Sequence, residues 1–190
     1  RDEERVREIN STRFNSKYLP DLKLRDNLKV YSDLDRVFDK DGAGAQLVIW
    51  ALPSKACRDQ AKLVAHYFRG DELIIHATKG VEEGSIKRIS TILGEEIPCR
   101  RIGVLSGPNL AKEIARGEPA ATVVASRFNE VVLAGQCALS TSGFRVYNSD
   151  DVVGVEWAGT LKNILAIASG CLDALGLGWN SRSMLISRGL

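Results

Sequence analysis

The chain has 190 residues, 44% of them apolar and 26% charged, with a formal charge of +2. That length supports one full core, or one domain plus part of a second, and the composition is that of an ordinary globular protein. Acids and bases alternate with no basic stripe, which leaves no charge argument for nucleic acid or a membrane surface as a partner.

The opening RDEERVREI reads as a charged helix start and not as a signal peptide. Helix periodicity over Asp2–Asn10 leads to a strand over Leu28–Tyr31 and a helix over Ser32–Asp39. A strand over Gln46–Leu52 follows, then a helix over Ser54–Tyr67 and a strand over Leu73–Thr78. The next expected elements are a helix at Ser85–Leu93, a strand at Ile102–Ser106 and a helix at Asn109–Ala115. Beyond them come a strand at Ala121–Ser126, a helix at Asn129–Leu139 and a strand at Phe144–Tyr147. QLVIWAL is apolar throughout, the pattern of a strand covered on both faces. Strands alternating with helices of this length imply βαβ units and a mostly parallel sheet.

After Asn148 the texture changes. No strand is expected beyond Asp151, only a helix of about 25 residues, a glycine-containing break (GLGWN) and a second helix start. Asn148, Ser149 and Asp150 offer side chains to cap the long helix. The expected fold is α/β, a Rossmann-type sheet over residues 1–148 that lacks its first strands and Gly-rich loop, followed at 149–190 by the start of an all-helical domain. Both ends read as cut. The longest uncharged run, Asn163–Leu172, falls far short of the roughly 20 residues that span a bilayer.

Cys57, Cys99, Cys137 and Cys171 lie 34 to 42 residues apart, and His66 and His76 are the only histidines. No metal-ligand spacing emerges, so the cysteines read as reduced thiols of a cytosolic interior.

A dinucleotide fingerprint, G-x-G-x-x-G between strand and helix, is absent. Gly42-Ala43-Gly44 precedes a strand instead of following one, and reads as a turn or a left-handed cap. ALPSKA, at a strand-to-helix junction, is either a cofactor rim at the carboxyl edge of a doubly wound sheet or a simple turn. In ATKG, Lys79 follows an apolar strand and precedes Gly80, so it either faces a ligand's phosphate or is an ordinary surface lysine. LSGPNLAKEI runs strand, turn, helix, with Asn109 placed to cap the helix, to touch an anion at its start, or both. Lys162 is the only cation between Arg145 and Arg182 and shares a helix face with Val155, Gly159, Ala166 and Ser169. An ammonium among such small residues is either paired with an acid such as Glu156 or engaged in chemistry.

Taken in order, RDEERVREINSTRFNSKYLPDLKL, VIWALPSKA, ATKGVE, VLSGPNLAKEIARGEPAATVVAS, FRVYNSDDVVGVEWAGTLKNILAIASG and GLGWNSRSMLISRGL resemble the bacterial-type NAD(P)-dependent glycerol-3-phosphate dehydrogenases. The resemblance spans nearly the whole chain. It implies an oxidoreductase that interconverts dihydroxyacetone phosphate and sn-glycerol 3-phosphate with NAD or NADP and feeds glycerophospholipid synthesis. It also implies a cytoplasmic location and admits a homodimer. On this resemblance Lys162 matches the proton-transferring lysine, Lys79 a lysine that meets substrate and cofactor, and Gly107 and Asn109 substrate contacts. Ala111, Tyr18 and Arg1 match cofactor positions, with Arg1 at the adenosine ribose or its phosphate. The family's Gly-rich loop and its remaining helical residues lie outside the sequence, so the resemblance implies an inactive piece of a longer enzyme. Two rivals are weighed: a β-hydroxyacid dehydrogenase, disfavoured because Ala166 stands four residues after Lys162, and a non-catalytic interaction module.

Overall fold

The computed structural model describes residues 3–38 and 44–189. Arg1 and the first two residues of the Gly42-Ala43-Gly44 turn lie outside them; Gly44, at φ +69°, has the left-handed backbone of the expected cap. Helix α1 (Glu3–Thr12) precedes a small antiparallel hairpin, β1 (Phe14–Asn15) and β2 (Leu19–Lys23), and a one-turn helix, α2 (Asp35–Phe38). The main sheet holds β3 (Leu47–Trp50), β4 (Leu73–His76), β5 (Ile102–Ser106), β6 (Ala120–Ala125) and β7 (Phe144–Ser149), side by side in that order. Between them lie α3 (Cys57–Val64), flanked by 3-10 turns, then α4 (Ile89–Glu96), α5 (Ala111–Ala115) and α6 (Asn129–Leu139). Two consecutive helices, α7 (Val152–Ala174) and α8 (Trp179–Gly189), complete the described chain.

Strand β4 has the burial that its sequence, LIIH, requires. Ile74 packs with Trp50, Cys57, Ile89, Ile92 and Leu93 on the α3/α4 side, and its neighbour Ile75 packs with Val124, Val131 and Val146 on the α6 side. The alternation of side chains along a strand therefore divides the core into two layers. QLVIWAL departs from its expectation: β3 is the edge of the sheet, and Ile49 is 43% exposed. Its unbroken apolar run is not matched by cover on both faces among the described residues.

Other differences have local causes. The segment expected as a strand at Leu28–Tyr31 is a loop, because the side-chain amide of Asn10 takes the place of a partner strand. Its Nδ2 donates to the Val30 carbonyl at 2.8 Å and its Oδ1 accepts from the Val30 N–H at 3.0 Å. Asn148 and Ser149 belong to β7, and the cap of α7 is Asp151, whose Oδ1 accepts from the Gly154 N–H at 2.8 Å. Cys57 and Cys99 are buried thiols as expected, whereas Cys137 and Cys171 are exposed. No described helix is long and apolar enough to cross a membrane.

Strand direction is the feature that places the site. Pairings β3–β4, β4–β5 and β6–β7 are parallel, while β5–β6 is antiparallel. The link from β5 to β6 carries a helix of only five residues, too little to cover a sheet face on a parallel crossover. The chain turns back, so β7 ends at the amino edge of β3–β5. Helix α7 starts there and climbs over β5 toward the opposite, carboxyl edge. Ten residues of helix, from Val152 to Lys162, advance about 15 Å, roughly the length of a five-residue strand.

One carboxylate fastens α7 to the sheet. Glu156 Oε2 accepts from Arg88 Nη1 and Ser90 Oγ, both at 2.6 Å, and Oε1 accepts from the Ser90 N–H at 2.9 Å. His76 Nε2, fully buried at the end of β4, lies 3.1 Å from the same Oε1, at an angle short of a well-formed hydrogen bond. Burial pushes the Glu156 carboxyl up, but contacts from His76 and Ser90 outweigh it and hold the group down at about 2. A depressed carboxylate adds stability above its unfolded value, and that stability is lost as pH falls through the folded value. Chemical-denaturation midpoints should therefore drop between pH 4.5 and 2. Glu156→Gln should make that drop shallower, with Glu82 and Glu95, held down by Arg58 and Lys87, supplying the rest, and lose about 3 kcal/mol at neutral pH; an unchanged acid limb in the variant would show that Glu156 does not contribute to it.

Candidate functional site

At the carboxyl edge of β4 and β5, the loops that follow these strands and the middle of α7 enclose an open cleft of about 560 Å³. Its walls include Lys79, Ser106, Gly107, Pro108, Asn109, Val123, Ala158, Gly159 and Lys162. Carboxyl edges of strands are where open α/β sheets place ligands.

Each wall has a local reason for its shape. Thr78 donates from Oγ1 to the Leu52 carbonyl at 2.7 Å, tying the ATKG turn to the loop after β3. Gly80 then takes φ +110°, a backbone that side chains resist, and a Cβ there would stand 3.3 Å from Ser54 Oγ. Lys79 is thus turned toward β5, where Nζ donates to the Gly107 carbonyl at 3.4 Å. Gly107 is pressed against β6: a Cβ would lie 2.8 Å from the Ala121 carbonyl oxygen and 2.9 Å from Thr122 Cα. Helix α7 passes equally close, since a Cβ on Gly159 would meet Ser106 Oγ at 2.9 Å. One helical turn further on, Lys162 reaches the cleft.

Lys79 lies within the field of Lys162. Crowding of its ammonium end pushes the Lys79 pKa down, and the charge of Lys162 pushes in the same direction. Lys162 itself is exposed, with Nζ donating to Asn163 Oδ1 at 3.2 Å, and it is not paired with Glu156, which is committed to Arg88, Ser90 and His76. Of the two alternatives drawn from sequence, pairing with Glu156 is therefore not observed, and the ammonium lines the cleft.

Asn109 also departs from expectation. Helix α5 begins after Leu110 with no side-chain cap, and the Asn109 amide turns away to donate from Nδ2 to Thr122 Oγ1 at 3.0 Å. Its Oδ1 is shielded from solvent and has no partner among the described residues. Such an acceptor costs about 1–3 kcal/mol.

Of the residues singled out from sequence, Lys79, Gly107, Asn109 and Lys162 meet in this cleft, together with Val155 and Gly159 from the Lys162 face. Ala166 and Ser169 do not line it. Tyr18 is 56% exposed beside Arg5 and Lys17, and Ala111 opens α5. Neither lines the cleft, but each adjoins in sequence a second groove of about 240 Å³ between β2 and α5, walled by Leu19, Pro20, Lys112 and Arg116. Arg1 lies outside the described residues. Sequence reading missed Thr122, which looks like any mid-strand residue, and the acceptor role of Glu156. Among the described residues no cluster of histidine, cysteine and carboxylate side chains could hold a metal ion.

The family model for the NAD-dependent glycerol-3-phosphate dehydrogenase N-terminus matches residues 1–132, and the model for the C-terminus of the same enzymes matches 151–190. The chain belongs to the NAD-dependent glycerol-3-phosphate dehydrogenase family. It is 46% identical over 191 residues to the glycerol-3-phosphate dehydrogenase [NAD(P)+] of Acinetobacter baylyi, covering all of this chain and 52% of that protein. With the enzyme of the same name from Clostridium perfringens the identity is 38%, over all of this chain and 56% of that one. The crystal structure of glycerol-3-phosphate dehydrogenase from Coxiella burnetii superposes with a TM-score of 0.85 at 34% identity, over 98% of this chain and 56% of the other. The chain therefore spans about half the length of its glycerol-3-phosphate dehydrogenase relatives. A ketopantoate reductase from Ralstonia eutropha, at 18% identity and a TM-score of 0.57, shares the fold alone.

Coupling between the two lysines is directly measurable. After reductive ¹³C-methylation, the Lys79 resonance should titrate below the other lysines. In Lys162→Ala it should move back upward only in part, since crowding is the larger cause. A Lys79 titration identical in both proteins would mean that the two ammonium groups do not share a field.

Proposed function

We propose that the chain is the central portion of an NAD(P)-dependent glycerol-3-phosphate dehydrogenase that interconverts dihydroxyacetone phosphate and sn-glycerol 3-phosphate. In this reading residues 1–148 belong to the dinucleotide-binding domain and 149–190 open the helical substrate domain. The observation that carries it is the convergence of Lys79 and Lys162 on one cleft at the carboxyl edge of the sheet. Two ammonium groups that line one cleft attract an anionic ligand, and a phosphate ester beside a polarisable carbonyl meets that need.

The residues present fit a nicotinamide dinucleotide. The turn at Gly80 abuts Ser54, close enough that a Cβ would crowd it, and so keeps the loops after β3 and β4 together at the carboxyl edge, where such sheets bind dinucleotides. Tyr18 and Ala111, each next in sequence to a residue lining the groove between β2 and α5, are the candidate cofactor contacts, with Arg1 toward the adenosine ribose or its phosphate. When bound, the cofactor supplies hydride to the central carbonyl carbon of the substrate.

The protein's own part is electrostatic and acid–base. Lys162, as ammonium, donates to the carbonyl oxygen and passes its proton to the alkoxide that forms there. Lys79 stays near Gly107 and holds the substrate, while Gly107 and Asn109 wall its other side. In the reverse direction neutral Lys162 accepts the proton from the central hydroxyl. The role in glycerophospholipid synthesis, a cytoplasmic location, a homodimer and the absence of nucleic-acid partners accompany this proposal as the family's usual setting.

The test follows absorbance at 340 nm with dihydroxyacetone phosphate and each reduced cofactor, for the complete gene product, its Lys162→Ala variant and the 190-residue chain. Turnover by the complete protein, falling about 10²- to 10⁴-fold in the variant, is the expected result. Glycerol 3-phosphate oxidation by the complete protein should rise with pH, as a base-catalysed direction requires, and a rise that survives unchanged in Lys162→Ala would remove Lys162 as the base. No turnover by a folded, cofactor-binding protein would send the substrate assignment to other hydroxyacids.

A further inference from the structure

Lys79 stands on a segment tied down on both sides. Before it, Thr78 is bonded to the Leu52 carbonyl, in the loop that leads from β3 to α3. After it, Glu82 is gripped by Arg58, in the first turn of α3: Nε donates to Oε1 at 2.5 Å and Nη2 to Oε2 at 3.0 Å. Two bonds from a planar guanidinium to both oxygens of one carboxylate fix angle as well as distance. The guanidinium is backed by α4, where Nη2 donates to Glu95 Oε2 at 2.9 Å and Nη1 donates to Glu96 Oε1. Between the two ties lie Lys79 and Gly80, and Gly80, at φ +110°, has a backbone that turns freely once its neighbours are released.

The rest of this loop is closed on itself. Val81 bridges Arg88, the Glu82 N–H donates to the Lys87 carbonyl at 2.9 Å, and the Ile86 N–H donates to the Glu82 carbonyl at 3.0 Å. Ile86 is a β-branched residue at φ +56°, a conformation that persists only where the surroundings over-determine it. Residues 81–88 therefore move as one piece, and Arg58 is the α3 side chain that fixes it. The piece runs from the neighbour of one cleft lysine to Arg88, which holds the Glu156 carboxylate of α7.

We propose that Arg58 is a positioning residue: its fork on Glu82 holds the Lys79 ammonium over the cleft in the place from which it grips the substrate. This rests on the dehydrogenase reading given above. Arg58 is not among the residues that line the cleft, so it acts through the loop alone. Loss of the fork frees the segment after Lys79 and lets the ammonium swing about Gly80. The hold on the substrate then weakens, while proton transfer, which belongs to Lys162 on α7, is left nearly intact.

The experiment measures kcat and KM for dihydroxyacetone phosphate in the complete gene product and in its Arg58→Gln, Glu82→Gln and Glu96→Gln variants, well below each melting temperature. Arg58→Gln and Glu82→Gln should each raise KM about tenfold with kcat within about threefold of wild type, and the double variant should add little to either. Glu96→Gln releases the same guanidinium from α4 but spares the fork, and its KM should stay within about twofold of wild type. A role in stability alone would lower the melting temperature of every variant and separate none of them in KM. A wild-type KM in Arg58→Gln and Glu82→Gln, or a KM in Glu96→Gln raised as far as theirs, overturns the proposal. Should Arg58→Gln fail to fold, Glu82→Gln carries the same reading. The ¹³C resonance of methylated Lys79 is a second readout that needs no turnover. Its titration should move up toward that of ordinary lysines in Arg58→Gln and Glu82→Gln, as crowding is relieved, and stay in place in Glu96→Gln. Absence of turnover by folded wild type overturns the dehydrogenase reading, whereas a Lys79 titration unmoved by loss of the fork overturns positioning by Arg58.

Discussion

The carboxylate of Glu156 is the fixed point from which the rest of the molecule is arranged. It receives the Arg88 guanidinium, both the side chain and the backbone of Ser90, and the close approach of His76, and so joins α7, α4 and the end of β4 at one place. A buried charge with this many donors is satisfied only in one relative placement of the three elements. Apolar packing alone would let a helix as uniformly apolar as α7 slide or rotate on the sheet. The ionic knot removes that freedom, and Lys79 and Lys162 inherit their spacing from it: one stands three residues after His76, the other six after Glu156.

Close approach completes what the knot begins. Gly159 lets α7 ride on Ser106, and Gly107 lets the following turn lie against β6. Side chains at either position would lift one wall of the cleft from the other. The glycines are thus spacers of zero thickness, and the polar groups around them, from the Lys79 ammonium to the Thr122 hydroxyl, meet at hydrogen-bond distance because the backbones do.

Much of this was legible in the sequence, and the exceptions share a cause. The apolar run of β5 and the periodic helix α6 were marked at their observed limits, Ile102–Ser106 and Asn129–Leu139, because burial on a sheet leaves a local pattern. Lys79, Gly107, Asn109 and Lys162 were marked by motif and do share a cleft. Strand direction leaves no such trace: IGVLS and AATVVA read the same whether β6 runs with β5 or against it. The Asn10 amide that replaces a partner strand for Val30, and the Thr122 hydroxyl that draws Asn109 off its helix, each act across 13 to 20 residues. Periodicity cannot see them, and both were misjudged for that reason.

The reversal between β5 and β6 also bears on how the site comes into being. It splits the sheet into a parallel block, β3–β5 with α3 and α4, and a second block, β6–β7 with α6. Lys79 comes from the first block, and Lys162 arrives on a helix that starts from the second. Neither block holds both ammonium groups, so their encounter is possible only after the two halves have docked. The lysine pair exists only in the docked sheet, and an anion that bridges it stabilises that docking. Occupancy of the cleft and closure of the sheet are then two readings of a single equilibrium.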